Sequence, residues 1–76
     1  MAMSEGDWQE RAKGLLKAEL VKKGIGYKGL AIKLQGLGIE ENDRNIANKV
    51  SRGGFSAVFL LQCLAAINCT LLHLDG

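Results

Sequence analysis

Four polar side chains of three residue types, arginine, asparagine and lysine, follow one another closely in the third quarter of this 76-residue sequence. They are Arg44, Asn45, Asn48 and Lys49. Arginine suits the edge of guanine and asparagine suits the edge of adenine, each through paired hydrogen bonds. Because asparagine is a poor helix former, its repetition on a helix surface favours a binding role over a purely solvated face. The four residues are therefore candidate contacts to DNA bases.

A helix over residues 43–52 must carry these donors. At about 100° per residue, its apolar residues Ile46, Ala47 and Val50 cluster on one side and the polar residues occupy the other. Asn42 suits the N-cap, and the glycines after residue 52 supply the stop. The pattern predicts one aliphatic face and one face of guanidinium, ammonium and carboxamide groups.

Positive charge is concentrated earlier in the chain. Residues 11–33 hold seven lysines and arginines against one acid, Glu19, in a chain of net charge +2. The candidate phosphate contacts, grouped around the start of the second predicted helix, are Lys22, Lys23, Tyr27, Lys28 and Lys33. The alternative is that these lysines only solvate exposed helix surface. The acids Glu40, Glu41 and Asp43, at the start of the third helix, oppose the DNA interpretation because they would repel phosphates.

Three further helices are predicted from apolar spacing, over residues 7–23, 27–37 and 57–68. The first carries Trp8, which we expect to anchor the core. The last is apolar nearly all round and begins after Ser56, a good N-cap. Residues 70–74 are too few for another helix and fit a short extended strand. We therefore predict an all-α domain over residues 7–76, preceded by a flexible N-terminus over residues 1–6.

Self-association is expected because a domain this small builds a core worth only about 3–5 kcal/mol. A helix without a polar face has to bury two sides, and a second copy of the chain can cover one of them. The predicted homodimer interface consists of Phe59, Leu61, Leu72 and Leu74.

In this order and spacing, the residues resemble the phage-repressor (Cro/C1-type) helix-turn-helix family. The resemblance spans about residues 15–69. It depends on Gly24-Ile25, Leu30-Ala31 with Leu34, Ile46 with Val50, and Arg52-Gly53. The stretch Ser51-Arg52-Gly53 followed by Phe55-Ser56 is similar to that of a group of small stand-alone bacterial proteins of unknown function. The resemblance implies a compact four-helix domain that binds duplex DNA with its third helix in the major groove, as a dimeric transcriptional regulator.

Three departures from the family pattern stand out. The connection from Gln35 to Glu41 is longer than the usual turn, and Tyr27 replaces the glutamine that commonly opens the second helix. Many repressors pair an arginine of helix one with a glutamate near the end of helix three. Here the residue types are exchanged, and we predict an ion pair between Glu19 and Arg52.

Other chemistry has little support in the sequence. His73 is the single histidine, and Cys63 and Cys69 lack zinc-site spacing, so no enzyme, metal, cofactor or small-molecule ligand is expected. No secretory signal is visible, which favours the cytoplasm. Two rivals remain: a protein-interaction module on the same scaffold without DNA binding, and a membrane anchor formed by the stretch 53–74, which holds no charged residue.

Overall fold

The chain folds into four α-helices in a computed structural model that describes residues 2–74. They are α1 (Glu5–Lys23), α2 (Tyr27–Gly36), α3 (Asp43–Arg52) and α4 (Ala57–Ala66). Helices α1 and α2 each pack against both α3 and α4. No β-strand forms among the described residues, so the short strand predicted over 70–74 is absent there, while the all-α prediction is confirmed.

Local capping explains the helix boundaries. Ser4 begins α1 two residues earlier than predicted, because its hydroxyl accepts from the amide of Asp7 and the Asp7 carboxylate accepts from the amide of Ser4. The helix thus extends into the segment predicted to be a flexible N-terminus. At the other end of the chain α4 stops at Ala66, because Asn68 takes a left-handed conformation (φ 59°) that does not continue a helix.

The core lies where the inner faces of the four helices meet. Its members, all buried, are Leu16, Leu20, Leu30, Ala31, Leu34, Ile46, Val50, Phe59, Cys63, Leu64, Ala66 and Ile67. Trp8 is not among them: it is 55% exposed, so its prediction as a core anchor is wrong. The physical reason is distance, since Trp8 lies two turns, roughly 12 Å, before Leu16 on α1 and therefore beyond the end of the core.

Candidate nucleic-acid interface

Helix α3 is fixed firmly at both ends and along its inner face. The Asn42 side chain accepts from the amide of Asn45 at 2.8 Å, as its predicted N-cap role requires. Gly53 ends the helix in a left-handed conformation (φ 70°). Ile46 and Val50 are fully buried, so the rotation of the helix about its own axis is determined by the core.

The outward face of α3 presents Arg44, Asn45 and Asn48, all of them exposed. Within residues 2–74, no ion pair involves Arg44 and no side-chain hydrogen bond engages the carboxamide of Asn45 or Asn48. Three of the four predicted base contacts therefore share one open face. Their donors and acceptors are free to meet an external ligand.

Lys49, the fourth predicted base contact, is also exposed, with 47% of its side chain accessible, but it is paired within the chain. Its ammonium forms an ion pair with the Glu41 carboxylate and lies 4.8 Å from the centre of the Phe59 ring. The Glu41 side chain is only 7% exposed, so this acid is shielded and its charge is balanced inside the chain. The pair is not evident in the sequence, because its two residues are eight positions apart across a turn and no helical spacing relates them.

The connection between α2 and α3 is long, but it is ordered by several hydrogen bonds. The Gln35 side chain donates to the carbonyl oxygen of Glu41 at 3.1 Å, and the amide of Ile39 donates to the carbonyl of Leu34 at 3.0 Å. Gly38 supplies the left-handed conformation (φ 80°) that this path requires. The connection consequently positions Glu41 beside Lys49.

The three acids at the start of α3 lie in different surroundings. Glu41 is shielded as described, Asp43 is half-buried, and Glu40 is exposed. A polar groove of about 550 Å³ lies here. It is lined by Gln35, Glu40, Glu41, Asn42 and Asn45. Of the acids expected to repel a phosphate backbone, only Glu40 is fully presented to solvent.

The predicted phosphate contacts divide into two groups. Lys22 pairs with Glu19 at 3.0 Å, and Lys23 donates to the carbonyl oxygen of Asn68 at 3.3 Å. Tyr27 is half-buried and packs against the core. Lys28 and Lys33, both on α2, are exposed and take part in no ion pair among the described residues. Of the lysines predicted to contact phosphate, those without an internal partner in the described part of the chain are thus the two on α2.

The predicted ion pair between Glu19 and Arg52 is wrong. Glu19 is buried and accepts from Lys22 and, at 3.5 Å, from the Cys69 thiol. The hydrogen bond from Lys22 lowers the pKa of Glu19 against the opposing effect of burial. Arg52 is exposed and lines a small groove with Gln9, ten residues or roughly 15 Å before Glu19 along α1. The end of α3 meets the wrong part of α1 for the pair to form.

Of the four residues of the predicted dimer surface, two are exposed, one is half-buried and one is buried. Leu61 and Leu74 are 65% and 60% exposed, and Leu72 is half-buried against the core. Phe59 is 5% exposed and packs inside its own chain, with its ring centre 5.7 Å from that of Phe55. Phe59 is therefore a core residue and offers no surface to a partner.

Neither cysteine has the surroundings of a reactive or metal-binding site. Both are free thiols, and burial raises the pKa of Cys63 to about 11, so it is a neutral core residue. Residues 2–74 contain no cluster of three histidine, cysteine or acidic side chains able to hold a metal ion. None of the helices in this part of the chain has the length and apolar character needed to cross a bilayer.

Comparison with known proteins identifies a family. A family model described as "Domain of unknown function (DUF6471)" matches residues 8–72. Since the match covers more than half of the chain, the chain belongs to that family. No curated protein and no solved structure matches it.

Proposed function

We propose that this member of the DUF6471 family binds duplex DNA sequence-specifically, as a small dimeric transcriptional regulator of the phage-repressor helix-turn-helix type. Helix α3 enters the major groove, and the cytoplasm is the compartment where it acts. The observation that carries the proposal is the open face of α3, on which Arg44, Asn45 and Asn48 are exposed together. These are the side chains best suited to bind guanine and adenine edges.

Exposed cations on α2 also support DNA binding. Lys28 and Lys33 on the neighbouring α2 provide ammonium groups for phosphates. The pairing of Glu41 with Lys49 removes one acid from the electrostatic field at the start of α3, which weakens the main objection raised by the sequence. Phosphate contacts would then position the chain while the α3 face distinguishes sequences.

The dimer is proposed from the apolar surface of α4. A groove of about 600 Å³ crosses this helix and the residues after it. It is lined by Leu60, Leu61, Leu64, Ala65, Cys69, Thr70, Leu71 and Leu72. A second copy placed on this surface by a two-fold axis would cover it and would present two α3 helices to a palindromic site.

Salt-dependent binding tests the proposal. Fluorescence anisotropy with a mixed-sequence duplex should give an affinity that falls steeply between 50 and 200 mM salt, as expected for about two or more released counterions. Lys28→Ala should weaken binding to every sequence about equally and reduce the salt slope by about one. Lys13→Ala is the matched control, because Lys13 pairs with Glu10 on α1, and it should leave the slope unchanged.

The base contacts are tested by selecting duplexes from a random pool. Arg44→Ala and Asn48→Ala should each lower the preference for the selected sequence by about 1–3 kcal/mol and leave binding to unrelated duplexes nearly unchanged. If both variants weaken an unselected duplex as much as Lys28→Ala does, the assignment of α3 to base contacts is refuted.

A second candidate function is supported by the polar groove at the start of α3. Its exposed acid, Glu40, would repel DNA but would suit a basic segment of another protein. In that case the chain would be an interaction module that keeps the helix-turn-helix scaffold without DNA binding. A wild-type chain that shows no affinity for duplex DNA at 50 mM salt would favour this function.

A further inference from the structure

Lys49 has two partners inside the chain, and both hold it at the edge of the α3 face. Its ammonium is paired with Glu41, which approaches from the connection before α3, and it lies over the ring of Phe59, which belongs to α4. Three separate elements thus meet at one cation. Among residues 2–74, the side chains of Arg44, Asn45 and Asn48 take part in no ion pair or hydrogen bond of this kind.

We propose that Glu41 is a specificity-determining residue of the interface, because it withholds Lys49 from DNA. This inference rests on the proposed DNA-binding function. A free lysine at this position would be a mobile point charge able to approach any phosphate, which adds affinity without discrimination. Held by Glu41, Lys49 leaves recognition to one guanidinium and two carboxamides.

The composition of the remaining face indicates the class of sequence that it binds. Arg44 pairs best with guanine, and Asn45 and Asn48 pair best with adenine. Asn45 and Asn48 are three residues apart and are therefore neighbours on one side of the helix. We expect each half-site to contain one guanine and two adenines.

The first test frees Lys49 by the substitution Glu41→Gln. Salt slopes and selected-over-unselected affinity ratios are measured as for the wild type. The slope should increase by about 0.9, the value of one additional phosphate contact, and the affinity ratio should fall about tenfold. General damage to the fold would instead weaken binding to all duplexes and would lower the melting temperature.

Glu40→Gln is the matched control for that variant. It removes the same charge one residue earlier from an exposed side chain that has no ion-pair partner among residues 2–74. It should strengthen binding to all duplexes about equally and leave the affinity ratio unchanged. If Glu40→Gln and Glu41→Gln change the ratio to the same extent, the effect is one of charge alone and the inference is overturned.

Lys49→Met provides a second, independent measurement if Glu41→Gln fails to fold. Its salt slope should equal that of the wild type, whereas a loss of about 0.9 would mean that Lys49 contacts phosphate and would overturn the inference. The two levels of failure are distinguishable. A wild-type chain that does not bind DNA refutes both the proposed function and this inference, while a wild-type chain that binds and a Lys49→Met slope that falls refute this inference alone.

Discussion

Helices α3 and α4 are both ten residues long, and both begin after a side chain that caps the first turn, Asn42 for α3 and Ser56 for α4. Their exposed faces are opposite in character. The α3 face carries Arg44, Asn45 and Asn48, whereas α4 exposes the aliphatic side chains of Val58 and Leu61. The two helices therefore have the same length and the same kind of N-cap but expose different surfaces.

The difference shows which interactions each helix still lacks. The apolar side of α3 is covered within the chain, since Ile46 and Val50 are fully buried. Its polar side carries exposed hydrogen-bonding groups. Helix α4 contributes Phe59, Cys63 and Leu64 to the core and still has apolar surface in contact with water. One helix is suited to a polar, anionic ligand, and the other is suited to apolar burial.

We expect the largest effect of a substitution on folding stability in the α3–α4 joint, the connection over residues 53–56. In Gly53→Ala the new methyl group would overlap the backbone carbonyl of Gln9, within 2.8 Å of its carbon atom, at a left-handed φ of 70°. The conformational cost of about 1–2 kcal/mol and the steric cost of about 1–3 kcal/mol together approach the whole stability of a domain of this size. Thermal denaturation followed by circular dichroism should show a largely unfolded chain.

Gly54→Ala is the control for that variant. Its methyl group would meet only the end of the flexible Gln9 side chain, at 3.4 Å. We expect a change within about 0.5 kcal/mol. If the two alanine variants have the same melting temperature, the close contact between α1 and the α3–α4 joint does not determine the stability of the fold.

The boundaries of α3 could be predicted from the sequence to the residue, because they depend on local chemistry. Asn42 and Gly53 are recognisable caps, and the burial of Ile46 and Val50 follows from helical spacing. The beginning of α4 after Ser56 was predicted for the same reason. Periodicity and capping were sufficient at these boundaries, whereas the start of α1 was predicted two residues late although the capping box of Ser4 and Asp7 that fixes it is also local.

Contacts between different elements could not be predicted in this way. The pairing of Glu41 with Lys49 and the contact of Glu19 with Cys69 both join residues on different elements. They depend on how the helices pack, which a pattern within one helix does not encode. The exposure of Trp8 has the same origin, because the length of α1 relative to the core is a property of the assembled domain.

The largest effect on association, as distinct from folding, is expected for the apolar face of α4. Leu61→Asp places a charge in the centre of the proposed dimer surface, and each copy loses the burial of a leucine, worth about 1.5–3 kcal/mol. Because a two-fold dimer contains two copies of Leu61, the loss occurs twice. Sedimentation should therefore show a dissociation constant at least about 100-fold higher than that of the wild type. The melting temperature of the monomer should hardly change, because Leu61 is exposed in the single chain.

Asn48→Asp introduces the same charge on the exposed face of α3 and is the matched control for dimerisation. It should leave the association constant unchanged and should weaken DNA binding instead, because a carboxylate would approach the phosphates. If Leu61→Asp sediments like the wild type, or if the wild type is itself a monomer, α4 is not the dimer surface.

The smallest effect concerns the segments that follow the two helices. The end of α3 leaves Arg52 exposed, whereas the segment after α4 is attached to α1 by the hydrogen bond from Cys69 to Glu19. Glu19→Gln should lower the melting temperature at pH 7, and Arg52→Gln should leave it unchanged. The effect is modest because Lys22, the main partner of Glu19, is itself largely exposed and screened by solvent.

The pH dependence of stability separates this account from one in which Glu19 acts only by its size. The pKa of Glu19 is lowered below its ordinary value of 4.5, chiefly by the hydrogen bond from Lys22. Its contribution to the free energy of unfolding is therefore fully present above about pH 4.5 and disappears as the pH falls through the lowered value. Melting temperatures of the wild type and Glu19→Gln should converge in that range. A difference that persists at low pH would contradict the ionic role, and an Arg52→Gln variant that loses the same acid dependence would restore the pair predicted from the sequence.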